Sequence, residues 1–288
     1  MFYFFSLLSG ILIAFMLAFN GTLAGVYGIH WATVIIHGIG LAFIAVIVAF
    51  KKENPFSSRY SWYLYTGGAF SVLITVLNNA AFGRISVSAI LALVLLGQTV
   101  AALVMDQYGF MGMPKSPFSI NRLAGLCFLS LGIITMIDNF ELAAILMSLI
   151  SGLFIVICRT LNAKLSILTS YRISTFFHNL IGFMVSIPIL LLLGGNETLV
   201  WNNAPLASWY VYMGGIVAVT VVLITNIVVA KVPAFYLSLL VFVGQVFTGI
   251  LIDIFLDGEF STRNLVGGII VTIGLSLNLM LDKKNKAP

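Results

Sequence analysis

Two glutamines, Gln98 and Gln245, and four asparagines, Asn20, Asn79, Asn162 and Asn226, stand inside long uncharged stretches of this chain. A carboxamide carries two donors and an acceptor, and in a lipid-embedded helix one left without a partner costs several kcal/mol. Such side chains can hold a solute by hydrogen bonds but supply no nucleophile or metal cage. Gln98 lies about twelve residues into the stretch 86–105, and Gln245 about twelve into the stretch that begins at Pro233. At ~1.5 Å rise per residue, both come close to the midplane of a bilayer, from opposite directions. Gly97 and Gly244 precede them and let another backbone or a ligand approach. We therefore expect Gln98 and Gln245 to bind a substrate in a central cavity. Asn79 with Asn226, and Asn20 with Asn162, fall nearer the ends of their stretches and suit gates around that cavity. The structural alternatives are bonds across a helix interface, worth ~0.6–2 kcal/mol each, and helix capping.

Ionisable groups are fewer. Asp106 and Asp253 end their stretches where a carboxylate is still hydrated, each placed to hold a basic loop residue. His37 lies within the second stretch, and its counterpart is Asn179, next to His178. A histidine there can carry a proton, or serve as a neutral bond between helices. These five residues are the candidates for gating, or for coupling to a proton or sodium ion. No Asp or Glu stands mid-stretch, which weakens a proton-driven mechanism of the kind that relies on one. The sequence holds no H-E-x-x-H, no G-x-S-x-G and no Gly-rich phosphate loop, so an enzyme is not expected, nor is a cofactor. Cys127 and Cys158 sit in apolar runs and read as small core-filling residues.

The elements that must position these groups follow from composition. Of 288 residues, 61% are hydrophobic and 8% charged, which marks an all-α integral membrane protein in contact with lipid. Charge-free windows define ten spans, two of them short: that after Arg122 and that between Glu141 and Arg159. Arg122 and Arg159 are expected to run their stems along the helix and leave their guanidinium groups at the interface. Trp62, Tyr63, Tyr65, Trp209, Tyr210 and Tyr212 read as aromatic belts, and Gly10, Ala14 and Ala18 as a smooth stripe for close helix approach.

Counted by alternate loops, Lys and Arg fall heavily on one side, from Lys51 and Lys52 to Lys283 and Lys284, whereas the other side has Arg84 and Arg263. The net charge of +5 is thus a topology signal that places both termini in the cytoplasm. It is not a nucleic-acid footprint.

The spans are duplicated. Residues 61–106 lie on 208–253 without a gap, matching Ser61-Trp62-Tyr63 to Ser208-Trp209-Tyr210, Asn79 to Asn226, Gln98 to Gln245 and Asp106 to Asp253. The offset is 147, as 79 to 226; flanking segments match at 142, as Asn20 to Asn162 and Gly40 to Gly182. The chain divides into units 1–140 and 141–288. With five spans each, the second unit enters the membrane from the opposite side, giving a 5+5 inverted-topology repeat of the kind found in secondary transporters.

The run Gly97-Gln98, Asp106, Gly109, Pro114-Lys115, Arg122 and Gly125, preceded by Asn20, resembles the YdcZ-type family of the drug/metabolite transporter superfamily. The second half keeps Asn162, Gly244-Gln245, Asp253, Arg263 and Gly267 but lacks the Gly and Pro-basic elements after Asp253. The resemblance implies a fused pair of antiparallel units in a bacterial cytoplasmic membrane, surrounded by lipid, that carries a small-molecule substrate by alternating access. A cavity lined by amides and aromatics, with neither a buried carboxylate nor a fully embedded basic residue, favours a neutral or zwitterionic solute. The reading from another class is a membrane scaffold whose polar residues only hold helices together.

Overall fold

A computed structural model describes the chain apart from residues 1, 58, 110–119, 138–139, 196, 198–205, 230, 233, 259 and 286–288. Among the described residues ten long helices follow one another: α1 (Phe2–Tyr27), α2 (Ile29–Phe50), α3 (Gly67–Ala81), α4 (Val87–Tyr108), α5 (Ile120–Met136), α6 (Leu142–Leu168), α7 (Tyr171–Leu193), α8 (Gly214–Val229), α9 (Ala234–Asp257) and α10 (Thr262–Asn285). Short 3-10 turns, Trp62–Thr66 and Trp209–Met213, lead into α3 and α8. Among the described residues, seven stretches are long and apolar enough to cross a membrane, drawn from α1, α2, α4, α6, α7, α8 and α9. The other three expected spans are present as the shorter or less apolar helices α3, α5 and α10. Trp62 and Trp209 are 78% and 76% exposed at their 3-10 turns.

Helix boundaries have local causes. Gly28 separates α1 from α2 at φ 89°, a conformation open to a residue without Cβ. Ser86 and Ser170 cap α4 and α7 by accepting from Ala89 N (3.3 Å) and Ile173 N (3.2 Å). Two further helix starts are capped from the other half of the chain. Glu197, beyond the end of α7, accepts from the backbone of Ile29 (3.0 Å), His30 (2.9 Å) and Trp31 (3.3 Å) at the start of α2. Asp253 accepts from Val87 N (2.6 Å), Ser88 N (3.1 Å) and Ser88 Oγ (2.6 Å) at the start of α4. Both carboxylates face the positive end of a helix dipole.

Packing between the halves is exchange-symmetric. Gly10 of α1 lies against Gly244 of α9, and at the matching positions Gly152 of α6 lies against Gly97 of α4. At each of these four glycines an added Cβ would collide with backbone of the facing helix, so the helices touch main chain to main chain. His37 of α2 lies against Gly182 of α7, and Gly40 against Asn179, so these two helices cross antiparallel. The α5 and α10 pair is antiparallel as well, with Gly132 against Gly267 and Phe128 against Gly274. The central core gathers Ile90, Leu129, Ile133 and Phe242, all within 2% of full burial.

Two expectations from sequence need correction. Helix α6 continues nine residues past Arg159, to Leu168, so Arg159 and Lys164 lie within a helix rather than in a loop. The charge-free window ended at Arg159, but the helix had no reason to end there: arginine is a good helix former. Cys158 is buried as expected, whereas Cys127 is exposed and fills no core.

At one end of the bundle, Glu53 ties the chain after α2 to the start of α7. It accepts from Ser170 Oγ (2.8 Å) and Arg172 Nε (2.6 Å). Partial burial pushes the Glu53 carboxyl up, but the bonds from Arg172 and Ser170 and the charges of Arg172 and Lys51 outweigh it and hold it below the ordinary 4.5. A depressed carboxyl stabilises the fold above its unfolded value, and that contribution disappears as pH falls through the folded value. We expect the melting temperature of the purified protein to drop below pH 4.5 more steeply than that of Glu53→Gln, with the two curves displaced at neutral pH by the ~0–1 kcal/mol of a surface pair. Parallel curves would remove this role.

Candidate solute cavity

All six amides singled out by position line one cavity of about 270 Å³ between the two halves: Asn20, Asn79, Gln98, Asn162, Asn226 and Gln245. They come from α1, α3 and α4 and their counterparts α6, α8 and α9. His37, His178 and Asn179 line it too. Asp253 is absent from the lining among the described residues and is committed to the start of α4. Asp106 lies in α4, but its side chain falls outside the described residues.

The amides differ in how they are partnered. Asn162 donates from Nδ2 to His178 Nδ1 at 2.9 Å and sits against Gly67 at the start of α3. Its counterpart Asn20 sits against Gly214 at the start of α8, and its Oδ1 has no partner. Asn79 is 5% exposed, with neither Oδ1 nor Nδ2 bonded, and its counterpart Asn226 has an unbonded Nδ2. None of the four makes a capping bond among the described contacts. Buried polar groups without partners cost about 1–3 kcal/mol each, and a solute or water in the adjoining cavity would offset that.

His37 is held on both sides. Its Nδ1 lies 2.9 Å from the Thr33 carbonyl and its Nε2 3.0 Å from Ser71 Oγ. A proton on Nδ1 donates to the Thr33 carbonyl, and Ser71 Oγ, which also lies 2.6 Å from the Gly68 carbonyl, shares its one proton between that carbonyl and Nε2. His178 takes the opposite tautomer, because the Asn162 amide occupies Nδ1 as an acceptor and leaves the proton on Nε2. Cys158 donates through Sγ to the Gly67 carbonyl at 3.2 Å and shares the cavity wall.

Several lining residues escaped the sequence reading: Ser71, Thr75, Asn78, Thr225 and, above all, Arg159. The Arg159 side chain is exposed, lines the cavity and donates from Nη2 to Gln98 Oε1 at 3.4 Å. The cavity wall therefore includes a basic residue that the sequence reading had left out of it. Among the described lining residues Arg159 is the only Lys or Arg, and none is Asp or Glu. The position that matches it, 142 residues earlier, is Leu17, which also lines the cavity. The wall thus repeats across the two halves in its amides and breaks that repetition in its charge. The signal for Arg159 lay in helical spacing, since Ile155, Cys158, Arg159 and Asn162 share one face of α6.

One family profile, described as "Putative inner membrane exporter, YdcZ", matches the chain twice, at residues 1–135 and 143–277. A search of curated proteins finds no match. Among solved structures, one titled "Crystal structure of protein" superposes with a TM-score of 0.64 at 14% identity, over 99% of this chain and 98% of its own. At that identity the likeness is one of fold alone.

Proposed function

The chain belongs to the YdcZ family as a fused two-unit, multi-pass membrane protein, and from that premise we propose that it is a secondary transporter working by alternating access. The observation that carries the reading is a cavity to which both halves contribute matching amides. A cavity shared across an in-plane pseudo-two-fold axis can open to either side as the halves rock.

The antiparallel crossings of α2 with α7 and of α5 with α10 support an inverted repeat. So do the ties between chain ends, since alternating topology puts each pair on one side. Glu53 with Arg172 falls on the cytoplasmic side. Glu197 with α2, Asp253 with α4, and Arg263 Nη2 on the Ile137 carbonyl at 3.1 Å fall on the other. With both termini cytoplasmic, these contacts are the candidate latches of an outer and an inner gate. A scaffold would gain nothing from Asn79 left unbonded beside a cavity.

Gln98→Ala and Gln245→Ala should each lower solute flux about tenfold, the equivalent of ~1.4 kcal/mol, while leaving insertion and melting temperature close to wild type. The measurement is uptake into proteoliposomes of a labelled panel of neutral, anionic and cationic metabolites. Wild-type flux in both variants removes the assignment.

A further inference from the structure

Resting on the transporter reading, we propose that the solute carries an anionic oxygen group, a carboxylate or phosphate ester, and that Arg159 with Gln98 receives it. The position of the charge is the first argument. Arg159 is the eighteenth residue of the 27-residue helix α6, so at ~1.5 Å per residue its Cα stands roughly 14 Å from the nearer helix end. An ionised side chain at such depth is costly unless it pairs or faces a hydrated cavity. Among the described residues no carboxylate pairs with it, and it lines the cavity. What offsets its charge must then come from inside that space.

The second argument is the geometry of its one bond. A guanidinium has five N–H donors in a planar fork, and here the Gln98 Oε1 takes a single Nη2 proton at 3.4 Å. The remaining donors suit the two-oxygen edge of a carboxylate or phosphate. Donor amides nearby add to the same polarity: among the described residues the Nδ2 groups of Asn79 and Asn226 have no partner.

The rest of the wall selects the body of the solute. Ile13, Val94, Leu95, Val241 and Phe242 face the same space, which a fully hydrophilic ion would not fill well. At about 270 Å³ the cavity is at the small end of ligand sites. A small organic anion, its charge toward α6 and α4 and its apolar part toward α1 and α9, satisfies the lining.

The test uses the full-length protein in detergent and two matched series differing only in head group: benzoate, phenyl phosphate, benzamide and benzylammonium, then butyrate, butyl phosphate, butyramide and butylammonium. A bound solute raises the melting temperature by mass action. We expect the carboxylate or the phosphate of at least one series to stabilise the wild type, and the better of the two identifies the head group. The neutral and cationic members should leave it unmoved. Arg159→Gln should weaken the anion's apparent Kd at least tenfold, and Arg159→Lys, which keeps the charge but not the fork, should fall between.

Should Arg159→Gln not be recovered folded, the wild-type ranking and the lysine variant decide. If a neutral or cationic member stabilises as strongly and Arg159→Gln leaves that unchanged, the anion assignment falls and the transporter reading stands. If no member of either series stabilises the wild type, the anion assignment falls as well, and the flux test on Gln98 and Gln245 judges the transporter reading separately.

Discussion

A Gly152→Leu chain is expected not to fold. At this glycine of α6 an added Cβ would meet the Val94 carbonyl oxygen, Gln98 N at 2.8 Å and Gly97 Cα at 2.9 Å. These are backbone atoms of α4, so relief requires separating two helices along their contact. Overpacking in a tolerant core costs about 1–3 kcal/mol, and a leucine driven against the main chain of a facing helix lies beyond that range. Gly10→Leu, at the matching contact of α1 with α9, should do the same, because its Cβ would meet Val241 C at 2.9 Å and Gln245 N at 2.8 Å. Gly25→Leu is the control: a Cβ there meets nothing within 4 Å. Size-exclusion profiles of the detergent-extracted variants give the answer. A monodisperse Gly152→Leu peak with wild-type melting would disprove the close contact.

The second large effect is expected from Asp253→Ala. This carboxylate takes two backbone N–H groups and one hydroxyl at the start of α4, and it is 5% exposed. Each buried donor left without an acceptor costs about 1–3 kcal/mol, so a loss of ~3 kcal/mol is reasonable. Asp253→Asn keeps one acceptor and should lose less. The measurement is the melting temperature without any solute, because a residue concerned only with gating or ion coupling would leave that unchanged. An unshifted Asp253→Ala melting curve would return Asp253 to the list of coupling groups.

Much of the candidate site was legible because duplication leaves polar residues at fixed offsets where apolar drift cannot place them. Asn20 with Asn162, Asn79 with Asn226, and Gln98 with Gln245 were found this way, and all six line one cavity. The helix count followed from charge-free windows, with seven of ten helices long and apolar enough on their own. The same rule failed at Arg159, where a charge was read as the end of a span although the helix continues to Leu168. A charge inside a helix and a charge that ends one look alike until the partner helix is known. Here that partner is α4, through Gln98. The cap that Asp253 provides was not legible either, because the N–H groups it accepts from lie more than 160 residues away in sequence. Matching by offset also cannot reveal Arg159, because its partner position holds Leu17.

That mismatch bears on why the two units share one polypeptide. In a pair of identical five-helix chains, any side chain at this position appears twice, facing its own image across the axis. Such an assembly owns two guanidinium groups or none, and two in so small a volume would repel each other and demand a doubly charged guest. Joining the copies end to end lets them diverge and permits an odd number, and a solitary arginine opposite leucine is a stoichiometry that two identical copies cannot supply.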